Sequence, residues 1–122
     1  MSDEFLRVAR QEIQSEIDNL KDILVICTND TQISEKSIDI EKHMHKIKGL
    51  APMMEQEKIG EIARISDIVL KHIASHGVLK GSHGTISDVV QKMSSILDGQ
   101  ANVDTDNFKK TMKDAYPQIL GF

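Results

Sequence analysis

Ser34-Glu35-Lys36-Ser37-Ile38-Asp39-Ile40-Glu41-Lys42-His43-Met44-His45-Lys46-Ile47-Lys48-Gly49-Leu50-Ala51-Pro52-Met53-Met54 is the stretch that decides the fold. Its apolar positions Ile40, Met44, Ile47, Ala51 and Met54 follow alternating steps of four and three. A helix turns by about 100° per residue, so those steps place all five side chains on one face. A half-buried strand would alternate in twos, and this stretch does not. Ile33 and Ile38 flank Ser34 at the spacing of a hydrophobic staple, so the helix is predicted to begin near Ser34. Pro52 lacks an amide hydrogen and strains the carbonyl of Lys48, so it should kink or end the helix.

The same period extends in both directions. Upstream, Leu6, Ala9, Ile13, Ile17, Leu20, Leu24 and Cys27 predict a helix from about Asp3 to Cys27. Ser2 is placed to cap it, and Asp3 and Glu4 suit the positive end of its dipole. Thr28-Asn29-Asp30-Thr31 is a polar break. Downstream, Ile59, Ile62, Ala63, Ile65, Val69 and Ile73 predict a third helix from about Glu57 to Ser75, with Gly77 as its cap. Lys80-Gly81-Ser82-His83-Gly84 reads as a flexible connection. Thr85 and Asp88 resemble a capping box ahead of Ile86, Val89, Val90, Met93, Ile96 and Leu97, and Gly99 ends this fourth helix. A shorter fifth helix is predicted from Asp104 to about Tyr116, with Val103 and Phe108 stapling its start. Met44, Met53, Met54 and Met93 all fall at core spacing. The expected fold is therefore all-α, a single domain over residues 1–122. An antiparallel four-helix bundle would cover about 3–98, with an additional short C-terminal helix over about 104–116.

Composition narrows the function. A chain of 122 residues is one domain's length and needs neither metal nor disulfide to fold. An apolar share of 39% excludes wholesale disorder. Cys27 is the single cysteine, which excludes an internal disulfide and a multi-cysteine metal centre. Its place on the first stripe makes it a buried, inert thiol. The net charge is −4, with both signs interspersed, so no nucleic-acid partner is expected. No segment approaches the roughly 20 apolar residues that span a bilayer. Met1-Ser2-Asp3-Glu4 is acidic where a signal peptide is basic. No membrane partner, a cytoplasmic location and a monomeric state are the expectations. The aromatic residues are Phe5, Phe108, Tyr116 and Phe122, too few for stacking platforms or aromatic cages.

A helical bundle declares no function by itself, so the oddly placed polar residues carry the question. His45 falls about 140° from the centre of its helix's buried stripe, on the outward side. Lys48 lies one turn along the same side, and Gly49 is at i+4 from His45. Glycine inside a helix costs about 1 kcal/mol relative to alanine. Access compensates here, because without a side chain at 49 the imidazole is open to a partner. Histidine is a nucleophile through its free ring nitrogen. A lysine beside it can pair with phosphoryl oxygens. The three residues read as a phosphoryl-acceptor patch. His43, nearer the buried flank, reads as a packing or rim residue.

His45-Lys46-Ile47-Lys48-Gly49 matches the H-x-[ILV]-K-G core of histidine phosphotransfer (HPt) domains. The chain resembles in particular the N-terminal phosphotransfer domain of chemotaxis-type histidine kinases, over roughly Phe5 to Leu97. The resemblance implies a helical bundle with the phosphorylated histidine, His45, on its second helix. It implies Lys48 as the motif's lysine and Gly49 as the glycine that opens the docking surface. It also implies a carboxylate on the third helix that hydrogen-bonds the other ring nitrogen; that place falls on Asp67. Arg64 stands one turn earlier, where a second histidine is common, and would border the docked partner. Asp67 is one methylene shorter than the usual glutamate. Ala51-Pro52-Met53-Met54-Glu55 replaces a frequent second glycine and aromatic residue.

The resemblance implies partners as well: a histidine kinase catalytic domain as donor and a response-regulator receiver domain. The chain would need no cofactor of its own, since Mg²⁺ belongs to the partner. It contains no segment like the ATP-binding boxes of kinases, so it is expected to be a phosphotransfer intermediate, not an enzyme. No metal is assigned to the His45 patch. Two alternatives stay open. One is a helical adaptor that binds signalling partners without being phosphorylated. The other is a metal-binding bundle in which His72 and His76, at i and i+4, join His83. Asp67 could also simply pair with Lys71 or Arg64 on its own helix.

Overall fold

In the computed structural model, which describes residues 2–100 and 102–121, Ser2 sits in extended backbone and accepts from the amide of Phe5 at 3.1 Å. That cap starts α1 (Asp3–Ile26). Met1, Ala101 and Phe122 lie outside the described residues, so the last aromatic does too. Asn29 in the polar break accepts from the amide of Gln32 at 2.9 Å and starts α2 (Asp30–Glu35). α3 (Ser37–Leu50) follows directly. The helix predicted from Ser34 is thus two helices meeting at Lys36. Ile33 is buried on α2, whereas Ile38 is 69% exposed on the first turn of α3. The expected staple does not form: Ile38 stands five residues after Ile33, about 140° round the same helical phase, and faces away from the buried stripe.

Pro52 does end α3. Pro52–Met54 wind into a 3₁₀ turn, and Glu55 takes the left-handed conformation at φ 63. Met54 keeps to the buried stripe, and Met53, the residue before it, is turned about a third of the way round the tighter turn. Met53 is 48% exposed and is not a core residue. α4 (Glu57–His76) then runs back along α3 and stops at Gly77, whose φ of 92 suits a residue without Cβ. A Cβ on Gly60 would lie 3.3 Å from the Pro52 ring, so glycine there lets the turn press against α4.

α5 (Ser82–Leu97) begins earlier than the capping-box reading placed it. Thr85 lies in its second turn, bonded through its hydroxyl to Tyr116 at 2.6 Å, and Asp88 pairs with Lys92. The helix start is capped from a distance. Asp30 accepts from the amides of His83 at 2.8 Å and Gly81 at 2.9 Å. Those amides, His83 foremost, hold the Asp30 carboxyl below its ordinary range. The segment 80–84 is therefore tied down and not a loose connection. α6 (Thr105–Ala115) starts at Asp104, which accepts from the amides of Asp106 and Asn107. One further turn, α7 (Pro117–Leu120), was not foreseen.

All regular structure among the described residues is helical. α1 and α4 each pack against both α3 and α5, while α6 and α7 lie on α4. Lys48 meets Asp67 and Glu41 meets Lys71, so α3 and α4 run antiparallel. The core joins Ile13, Ile17 and Leu20 to Ile40, Met44 and Ile47, then to Ile59, Ile62, Leu70, Ile73, Ile86 and Met93. Each such side chain contributes roughly 1.5–3 kcal/mol by leaving water. No helix among the described residues is long and apolar enough to cross a membrane.

Candidate functional site

His45 stands in the middle of α3 with its side chain 56% exposed. Met44 and Ile47 on either side are buried, so the backbone beneath the imidazole is held by the core. A Cβ on Gly49 would meet nothing within 4 Å. Neither backbone conformation nor packing requires glycine there; its effect is an open face one turn beyond His45. A shallow groove lined by Glu12, Glu16, Lys46, Leu50 and Met53 continues that face.

Asp67 comes from α4 and is buried. Its Oδ2 lies 3.5 Å from His45 Nδ1, so the sequence-derived pair is brought together. The same oxygen accepts from Lys48 Nζ at 3.0 Å and from Lys71 Nζ at 2.9 Å. Burial pushes the Asp67 carboxyl up, but the ammonium groups of Lys71 and Lys48 that donate to it outweigh burial and hold the group below the usual range. Its other oxygen, Oδ1, is buried with no hydrogen-bond partner among the described residues. Lys48 was expected beside His45, one turn along the outward side. It folds back onto Asp67 and keeps 31% of its side chain exposed.

The site also holds Glu41, which the sequence reading passed over although it lies one turn before His45 on the same face. Its Oε1 is 3.9 Å from His45 Nδ1 and 3.7 Å from Lys71 Nζ. Burial, and then the neighbouring Asp67, push the Glu41 carboxyl up, against the pull of Lys71 and His45. Around the imidazole, then, two carboxylates are matched by two ammonium groups.

The remaining candidates sit apart. Arg64 is held by Glu61 on its own helix at 2.8 Å and does not reach Asp67. His43 does pack at the rim, 2.5 Å from the buried Glu16, which also faces Lys46 at 3.6 Å. The rings of His72 and His76 stack with centroids 4.1 Å apart. Neither they nor His83 belong to the one group of three metal-ligating donors that the described residues bring together. That group is Glu41, His45 and Asp67, with ligand atoms within 4.8 Å of one another. Lys71 bridges its two carboxylates. Cys27 is buried, as its stripe implied, and burial pushes its thiol up.

No protein family, curated protein or solved structure matches this chain.

Proposed function

We propose that the chain is a phosphoryl carrier of the histidine phosphotransfer type, built as an antiparallel four-helix bundle of α1, α3, α4 and α5. It accepts a phosphoryl group on His45 and passes it to or from the aspartate of a response-regulator receiver domain. One observation carries this reading: an exposed imidazole turns Nδ1 toward a buried carboxylate, on a helix face left open at Gly49. A proton held on Nδ1 leaves the lone pair on Nε2. Nε2 forms the N–P bond as the bond from phosphorus to the donor oxygen breaks. The proton stays on Nδ1, and Asp67 faces the positive charge that the ring gains. Lys48 is within a side-chain swing of His45 and supplies charge to the transferring oxygens.

Gly49 and Arg64 border the docking face. A histidine kinase catalytic domain is the donor. The receiver brings its aspartate and Mg²⁺, and the carrier contributes no cofactor. A cytoplasmic relay is the setting in which such partners work. Incubation with a kinase and labelled ATP, or with a phosphorylated receiver, tests the proposal. The expected label is acid-labile and base-stable, and His45→Gln reduces it to background while keeping the helical circular dichroism. Wild-type labelling of His45→Gln overturns the assignment. Tight receiver binding without any label would instead mark an adaptor.

A further inference from the structure

We infer that Glu41 is a positioning residue for His45: with Asp67 it forms a two-carboxylate cradle that keeps the ring proton on Nδ1. The inference deepens the phosphoryl-carrier reading and rests on it. Asp67 alone is a weak holder. Its Oδ2 is 3.5 Å from Nδ1, at the outer limit of a hydrogen bond, and it already accepts from Lys71 at 2.9 Å and Lys48 at 3.0 Å. Three donors on one oxygen leave the smallest share to the most distant. Glu41 approaches the same ring nitrogen to 3.9 Å, with its side chain only 21% exposed. Lys71 lies 3.7 Å from Glu41 and 2.9 Å from Asp67, and so keeps Glu41 beside the ring.

The consequence for the proton is direct. The charged groups at the ring are Glu41 and Lys48 on α3, and Asp67 and Lys71 on α4. With hydrogen on Nδ1, an N–H points toward two carboxylates. With hydrogen on Nε2, a lone pair would face them, and Nε2 could not attack phosphorus. The pull of a carboxylate charge on an N–H dipole falls off about as the square of distance, without the sharp angular limit of a hydrogen bond, so 3.9 Å is near enough to matter in a half-buried setting. Asp67 lacks one methylene of reach, and Glu41 makes good the difference from His45's own helix.

The test is ¹⁵N NMR of the ring nitrogens in the full chain, read on the neutral imidazole, for wild type, Glu41→Gln and Asp67→Asn. Wild-type His45 should carry its proton on Nδ1. Glu41→Gln is isosteric, and an unchanged backbone amide spectrum elsewhere certifies its fold. It should move the ratio of the two tautomers toward Nε2–H by about three- to tenfold. Its rate of phosphoryl uptake should fall by a similar factor, with Glu41→Asp in between. An unchanged tautomer ratio in Glu41→Gln, beside a changed one in Asp67→Asn, overturns the inference. A shifted ratio in a chain whose wild type takes no phosphoryl group sustains the cradle and overturns the carrier reading.

Discussion

Gly49 has ordinary helical backbone, and a Cβ there would have nothing within 4 Å. Gly49→Ala should therefore stabilise the fold, by up to about 1 kcal/mol, seen as a higher thermal midpoint. Gly49→Gln should keep the helical signal but slow phosphoryl transfer by roughly tenfold to a hundredfold, since its side chain crosses the approach to Nε2. Equal transfer rates in Gly49→Gln and wild type would place docking elsewhere. Residues of this kind were legible early. His45, Lys48, Gly49 and Asp67 have positions fixed by a short motif and by helical phase. The partners of those residues were not legible. Glu41 and Glu16 lie on helix flanks, where a carboxylate looks solvated until a second helix is laid against it. Phase alone gave Lys48 a side of α3, and only the packing of α4 gave it Asp67 as a partner.

Among the elements, α5 owes its start to a residue of another helix. Asp30 caps it from 51 residues upstream of Gly81, by way of the amides of His83 and Gly81. Asp30→Ala should cost about 1 kcal/mol and fray the first turn of α5, which amide hydrogen exchange at Gly81 and His83 would register. The sign of its pH dependence follows from the carboxyl lying below its ordinary value in the folded chain. The stabilisation is full above the ordinary value of 3.8 and is lost as pH falls through the lower, folded value. The difference in thermal midpoint between wild type and Asp30→Ala should be full at pH 7 and close in strong acid. A difference constant across that range would mean that the charge of Asp30 does not act. Such a cap is invisible to local pattern, which is why Thr85 and Asp88 drew the start of α5 too late. The apolar stripes were legible throughout, because burial follows the helical period. The junction at Lys36 was not, because α2 and α3 share nearly one phase.

At the scale of the whole molecule, α6 and α7 lie on α4, and Phe108, Met112, Tyr116 and Leu120 of this segment are buried. None of these residues is among the partners of His45. Phe108→Ala should lower stability by about 3 kcal/mol, measured by denaturant unfolding. The fraction that remains folded should transfer phosphoryl groups at the wild-type rate. Loss of transfer in the fully folded variant would draw α6 into the docking face. The hairpin of α3 and α4 is held differently. Pro52 presses against α4 at Gly60, 3.3 Å from where a Cβ would be, and this contact pins the two helices lengthwise. Each residue of helix advances about 1.5 Å and turns about 100°. One residue inserted or deleted between Pro52 and Gly60 must either bulge the turn or swing Asp67 around α4, away from His45. Descendants of this sequence are bound to inherit the short reach from Pro52 to Gly60 at constant length.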